Sequence, residues 1–399
     1  MSRVKFLSDI GPKVLTANGP VVAPLRVGFF TESYRPIVNG IVASIDALRG
    51  GLSACGHDVS IIAPSFPDYI DNDSSIVRIP SLPLPTPTFY RLCVPYVRTS
   101  DRLRVDNLSI VHTHSPFVTG WMGARYARRH NIPLIFTYHT RIEEYAHYVP
   151  FERAMMQRAA VALTRTYANA ADAVIVPTRA MEVHLRKLGV IARIAVVPSA
   201  IDIERFAAGR RRADIRAELG AGDGTKLILF VSRLAREKNL ELALGALARI
   251  ADPDVRLAVV GDGPHRGRLE RYAQELGVAD RVHFAGGLAA ERLPDVYASA
   301  DAFVFPSTSE TQGLVLAEAL AARLPVVAVE SAASREVLGG SGYLTVASAE
   351  GLAAGLQSAL GRNGSIQSAV HLASSRYTVA EQTARILDLY EEVLTVGAA

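Results

Sequence analysis

Short apolar runs, each closed by a polar or glycine-containing stretch and followed by an amphipathic segment, recur along the whole chain, and no other feature constrains the fold as tightly. In the first half the runs are "LRVGFF", "DVSIIAP", "LSIVHTH", "IPLIFTYH" and "DAVIVP", with helical patterns from Ile41 toward Cys55, around Trp121 to His130 and from Phe151. The second half repeats the plan: "KLILFVSRL", a helix from Asn239, "VRLAVVGDG", a helix through Leu269 and Leu276, "RVHFAGG", "DAFVFPS", a helix carrying Glu318, and "PVVAVE". Such alternation predicts parallel sheets covered by helices. The expected α/β architecture is therefore two doubly wound, Rossmann-like domains in tandem, their loops facing across a cleft. The junction falls near "VVPSAIDIERF", residues 196–206. An N-terminal extension over 1–24, a first domain over 25–198, a second over 199–377 and a closing helix over 378–399 complete the expected layout. The last of these has apolar residues at helical spacing and needs a surface to pack against.

Composition agrees with this size of core: 399 residues, 49% hydrophobic and 21% charged, suit two domains better than one. Cys55 and Cys93 are too few for a disulfide framework, and no closely spaced Cys/His cluster offers a structural zinc site, so a reducing compartment is expected. Asp9, Lys13 and Asn18 break the apolar runs of the first two dozen residues, leaving no secretory leader pattern, and no run is long enough to span a bilayer. The expectation is a cytoplasmic protein, soluble or peripherally attached. Residues 1–200 hold 22 Lys and Arg against 14 Asp and Glu, whereas the remainder holds 21 against 25. A basic first half fits attraction to an anionic surface, although scattered solvated cations give the same count.

In doubly wound sheets ligands bind beyond the C-terminal strand ends, and the polar motifs of this chain sit there. "FTESYRPIVNGIVASI" (30–45) follows the first strand. Its Asn39-Gly40 predicts a tight turn whose glycine allows close approach, with the following helix N-terminus available to a phosphate; ordinary turn chemistry explains it equally. "VHTHSP" (111–116) ends a strand with His112 and His114 on one face. A metal pair, a single histidine bonding a sugar or phosphate oxygen, and a satisfied buried histidine are all compatible with it. "YHTRIEEYAHYVP" (138–150) mixes His139, Arg141, Glu144, Tyr145 and His147, which suits a sugar or lipid headgroup and equally a self-packed loop.

"VSRLAREKNLELAL" places Arg233 and Lys238 between a strand and a helix, where two cations can neutralise a diphosphate. "VVGDGP", with Gly263, is a second glycine-rich strand end. "STSETQGLVLAEAL" (307–320) carries Glu310 in a loop, Thr311, Gln312, Gly313 and Leu314 leading into a helix, and Glu318 about one turn inside. Backbone N–H groups at that helix start can hold a hydroxyl or phosphate oxygen. A dipole-complementing acid would account for Glu310 but poorly for Glu318, which stands between Ala317 and Ala319.

Taken together, "SETQGLVLAE", "SRLAREK", "VVGDGP" and "VNGIVASI" resemble, in order, the motifs of the retaining glycosyltransferases of family 4, which have the GT-B architecture. The resemblance runs from about Leu25 to Ala380. Within it, "FTESYRPIVNGIVASI" and "YHTRIEEYAHYVP" are similar to the branch of bacterial diacylglycerol glucosyltransferases, with Glu32 where an Asp is usual, Arg141-Ile142 where Met-Tyr is usual, and "PSAID" without the linker glycine. These departures bear on the acceptor more than on the reaction.

The resemblance implies transfer of a hexose from a nucleotide sugar, UDP-glucose in that branch, to a membrane lipid such as diacylglycerol, by a peripheral enzyme on the cytoplasmic face. It assigns Arg233 and Lys238 to the donor diphosphate, Glu318 to the ribose, and Glu310 with Thr311 and the backbone of Gln312 to Leu314 to the donor sugar. His114 is assigned to the sugar's C6 hydroxyl and the reaction centre, and Gly40 and Gly263 to the donor site. Asn39, His139, Arg141, Glu144 and Tyr145 are then acceptor-side candidates. The donor phosphate can take the acceptor proton in a same-face substitution, so no metal, no other cofactor and no obligatory protein base are implied, and no nucleic acid is expected as a partner. A GDP-mannose-dependent mannosyltransferase acting on a phosphatidylinositol-type or other polar acceptor, a nucleotide-sugar epimerase, a glycan-binding protein and a retaining glycosidase are the competing readings. The diphosphate-binding cations argue against the last, because a hydrolase has no leaving diphosphate to neutralise.

Overall fold

The computed structural model describes residues 14–16, 19–22, 24–83, 91–94, 105, 107–144, 152–361, 372–373 and 375–396. The chain divides into two units, one running to Ala200 and resuming at Val379, the other covering Ile201–Thr378.

In the first unit a short hairpin, β1 (Val14–Thr16) and β2 (Gly19–Val22), precedes the main sheet. That sheet contains β3 (Arg26–Phe30), β4 (Asp58–Pro64), β5 (Ile76–Ile79), β8 (Ile110–Thr113), β9 (Leu134–Thr137), β10 (Ala173–Val176) and β11 (Ile194–Val196), all parallel, in the order β11-β10-β9-β8-β3-β4-β5. A side hairpin joins β6 (Ser81–Pro83) to β7 (Arg91–Cys93). The four residues of β8, β9 and β10 are buried without interruption. This is why these strands read as continuous apolar runs: helices cover both faces.

Helix α1 (Gly40–Ala54) and the C-terminal helix (Val379–Val396) cover one face, burying Ile45, Leu48 and Leu52 with Ile386, Leu389 and Tyr390. The closing helix thus finds its surface on α1. Gly51 permits that approach, since a Cβ there would lie 1.9 Å from Thr383 Oγ1. Helices α2 (Val118–His130), α3 (Arg153–Ala170) and α4 (Arg179–Lys187) cover the other face, with Ala127, Tyr167, Ala168 and Leu185 in its core.

The second unit begins with α5 (Ile203–Ala207) and α6 (Ala213–Glu218). Its sheet is again all parallel: β12 (Lys226–Val231), β13 (Val255–Val260), β14 (Val282–Gly286), β15 (Ala302–Phe305), β16 (Val326–Val329) and β17 (Tyr343–Thr345), ordered β14-β13-β12-β15-β16-β17. Between them run α7 (Leu240–Arg249), α8 (Arg266–Glu275), α9 (Leu293–Ser299), α10 (Leu314–Ala321), α11 (Ala332–Leu338) and α12 (Ala349–Gly361). The backbone N–H of Ile201 donates to the carbonyl of Tyr377 at 2.9 Å, tying the first residue of this unit to its end. Strand order reverses between β3 and β8 in one sheet and between β12 and β15 in the other. Those two switch points are where a doubly wound sheet opens a crevice.

Candidate active site

At the switch point of the first sheet, the loops after β3, β8 and β9 leave three neighbouring strands side by side. Asn39 and Gly40 do not form the tight turn expected from sequence. Asn39 is extended, with φ −160°, and accepts from the Val42 N–H at 3.0 Å as the cap of α1, while Gly40 is the first helical residue. A short polar side chain before an apolar-periodic run served as a cap because the backbone needed an acceptor there. The Asn39 amide also donates to Ser33 Oγ at 2.8 Å.

The two histidines of "VHTH" do share a face, with ring centroids 4.5 Å apart and planes 22° from parallel. His114 Nδ1 lies 2.9 Å from His139 Nε2, and His114 Nε2 is buried with no hydrogen-bond partner among the described residues. The satisfied-histidine reading therefore holds for His112 and fails for His114. Burial lowers the pKa of all three imidazoles, with neighbouring rings adding to it for His112 and His114: His112 falls to about 3 and His139 to about 4. All three rings are neutral at physiological pH, and a neutral imidazole presents one donor and one acceptor.

Glu32, which sequence reasoning noted only as a departure, closes this loop cluster. Its carboxylate accepts from the Thr119 N–H and Thr119 Oγ1, each at 2.6 Å, and from Ser115 Oγ. No side chain of its own caps α2, so Glu32 supplies the acceptor from another strand end. Burial raises the Glu32 pKa against the pull of those donors. In the loop after β9, Arg141 pairs with Glu144 at 2.7 Å and reaches Glu143, and Glu143 in turn meets His184 at 2.8 Å. Tyr145 and His147 lie outside the described residues.

The second switch point brings the loops after β12 and β15 together. Lys238 Nζ donates to Glu310 Oε1, joining two residues 72 apart in sequence, and Ser307 Oγ lies 3.3 Å from the same carboxylate oxygen. Arg233, in the loop after β12, donates to Glu237 at 2.7 Å, a partner that only the course of this loop brings within reach. Gly313, which brings no capping side chain of its own, adopts φ +79° before α10; Gln312 is buried beside it. Glu318 accepts from the Tyr297 hydroxyl at 2.7 Å. Burial raises the Glu318 pKa, while Tyr297 and Arg205 pull it back. Gly263 has a structural reason of its own: a Cβ there would lie 2.3 Å from the Leu234 carbonyl oxygen, because the loops after β12 and β13 run backbone to backbone. The Leu234 N–H donates to Asp262 O at 2.9 Å in that zipper.

Away from the strand ends, α2 and α3 contain no Asp or Glu; the nearest acid, Glu152, stands just before α3. Arg125, Arg128, Arg129, Arg153, Arg158 and Arg165 are exposed on them, and among the described residues none forms an ion pair. Arg35, Arg49, Arg78, Arg141, Arg179 and Arg193 of the same unit all do. Phe117 (42%), Trp121 (42%) and Met155 (48%) are exposed beside these unpaired cations. Trp121 packs edge-on against Tyr167 of α3 at 5.0 Å, so the two helices are neighbours.

Residues 38–205 match the description Glycosyltransferase Family 4, and residues 211–371 match Glycosyl transferases group 1. Alpha-monoglucosyldiacylglycerol synthase of Streptococcus pneumoniae is 35% identical over 316 residues, covering 76% of this chain and 71% of the relative. A GDP-mannose-dependent alpha-mannosyltransferase of Mycobacterium tuberculosis is 33% identical over 320 residues, 79% of this chain and 81% of that one. Sucrose-phosphate synthase of Thermosynechococcus elongatus shares the fold with a TM-score of 0.76 at 22% identity, over 93% of this chain and 100% of the other. The chain belongs to the family 4 glycosyltransferases of GT-B fold.

Proposed function

We propose that this glycosyltransferase moves glucose from UDP-glucose to a membrane lipid acceptor such as diacylglycerol, retaining the anomeric configuration and needing no metal ion. The observation that carries the reading is the Lys238–Glu310 pair at the switch point of the second sheet. An ammonium has three donors and a carboxylate about four acceptor sites, so neither is exhausted by the pair. Lys238 keeps donors for a phosphate oxygen, and Glu310 keeps acceptors for sugar hydroxyls. Arg233 adds a forked donor set, and the two cations stabilise the charge that develops on the leaving nucleoside diphosphate. The start of α10, entered through Gly313, turns backbone N–H groups toward the same ligand in this reading, and Glu318 accepts from the ribose.

In this reading His114 Nε2 bonds the transferred sugar, and the Asn39, His139, Arg141 and Glu144 region serves the acceptor. Both named relatives make alpha linkages, the anomer of an alpha-linked nucleotide sugar, which supports retention. The acid-free face of α2 and α3 supports an acceptor at an anionic, cytoplasmic membrane surface: cations over exposed aromatics suit the bilayer interface. Among the described residues no helix is long and apolar enough to cross a membrane.

The test is a matrix of UDP-glucose and GDP-mannose against diacylglycerol, a phosphatidylinositol-type lipid and a soluble sugar, read by product mass with and without a chelator. Alpha-glucosyldiacylglycerol formed equally in chelator is expected. Product only from GDP-mannose would replace the donor, and loss of product in chelator would overturn metal independence.

A further inference from the structure

We propose that His112 and Tyr390 are positioning residues for His114, so that the C-terminal helix forms part of the reaction machinery as well as the packing. This rests on the reading of His114 as a contact to the transferred sugar. His112 is wholly buried in β8, a place where a valine would fill the strand with no polar group to satisfy. Both of its ring nitrogens are nevertheless occupied, Nδ1 at 2.6 Å from the Tyr390 hydroxyl and Nε2 at 2.6 Å from Thr137 Oγ1. Tyr390 is itself fully buried, and a neutral phenol needs an acceptor for its proton, a role we assign to His112 Nδ1 at 2.6 Å. That assignment puts the His112 proton on Nε2, donating to Thr137.

A ring held at both nitrogens cannot flip or swing. His114 stacks on it, Phe29 packs edge-on against both rings at 5.3 and 4.9 Å, and His139 fixes the His114 Nδ1 edge. The remaining nitrogen, His114 Nε2, is buried and has no hydrogen-bond partner among the described residues. Its direction is thus set by a chain of contacts that starts on a helix 278 residues away from His112. Holding a reacting group within a narrow range of orientations is worth rate rather than binding.

Tyr390→Phe and Thr137→Val each remove one anchor while keeping the volume, and Thr137→Ser restores the hydroxyl. The expected result is a fall in kcat of about tenfold for the first two, with KM for the nucleotide sugar within about twofold and near-normal kcat for the serine variant. Nitrogen-15 imidazole shifts should report His112 protonated on Nε2 in the native enzyme and redistributed in Tyr390→Phe. His114→Ala is the control. If it is inactive while Tyr390→Phe and Thr137→Val keep native kcat and lose only melting temperature, the chain of contacts is structural and the proposal is wrong. If His114→Ala is fully active, the underlying reading of His114 falls and the proposal with it.

Discussion

Lys238 and Glu310 were both readable as candidates, because each follows an apolar run at a strand end. Their partnership was not, since nothing local links positions 72 residues apart. The pair makes a specific prediction about coupling. If Lys238 orients Glu310 and both grip one donor, each single change to Lys238→Ala or Glu310→Gln lowers kcat/KM by about 100-fold, and the double variant is little worse than either. Steady-state kinetics of the four proteins measure this; losses that multiply would mean that the two side chains act independently. Tyr297 teaches the converse. Its hydroxyl bonds Glu318, but in sequence it is one more large residue in a short helix, and only the fold brings it to the carboxylate.

At the scale of elements, the strand-end histidines couple the site to pH. The folded pKa values of His112 and His139, about 3 and about 4, lie below the ordinary 6.5, and that of His114 is lowered too. Below 6.5 the unfolded chain takes up protons that the folded β8 and β9 refuse. The stability they contribute is therefore present above that pH and lost as pH falls toward 4 and 3. Glu32 has the opposite sign: its raised folded value gives stability below 4.5 that disappears as pH rises through it. Melting temperature should therefore fall between pH 6.5 and 4, and fall more steeply in Glu32→Gln, where the opposing contribution is absent. A flat profile in both proteins would show that the imidazoles are not kept neutral. The elements themselves were plain in the sequence, because doubly covered strands must be continuously apolar and their helices amphipathic. What lies between elements was hidden: the α1 cap looked like a turn, and Tyr390 looked like another apolar position beside Leu389 on a closing helix.

For the whole molecule, the uneven charge of the two halves has a location. Much of it sits on α2 and α3, where six exposed arginines lack acidic partners among the described residues, whereas Arg35, Arg49, Arg78, Arg141, Arg179 and Arg193 of the same unit are ion-paired. A solvated basic face with no ligand would normally carry some acids among its cations, as the i,i+4 pairs elsewhere in this chain do. Cations near an anionic leaflet contribute about 1 kcal/mol each, and Trp121, Phe117 and Met155 suit the interfacial depth. Vesicles containing a third phosphatidylglycerol should therefore carry the protein in flotation, phosphatidylcholine vesicles should not, and moderate salt should release it. Arg125→Glu, Arg128→Glu and Arg158→Glu together should abolish flotation while activity on a short-chain acceptor dissolved in detergent stays near native. Binding that survives both the triple change and high salt would place the membrane contact elsewhere on the molecule, and loss of detergent activity would mean that these helices serve the acceptor site itself.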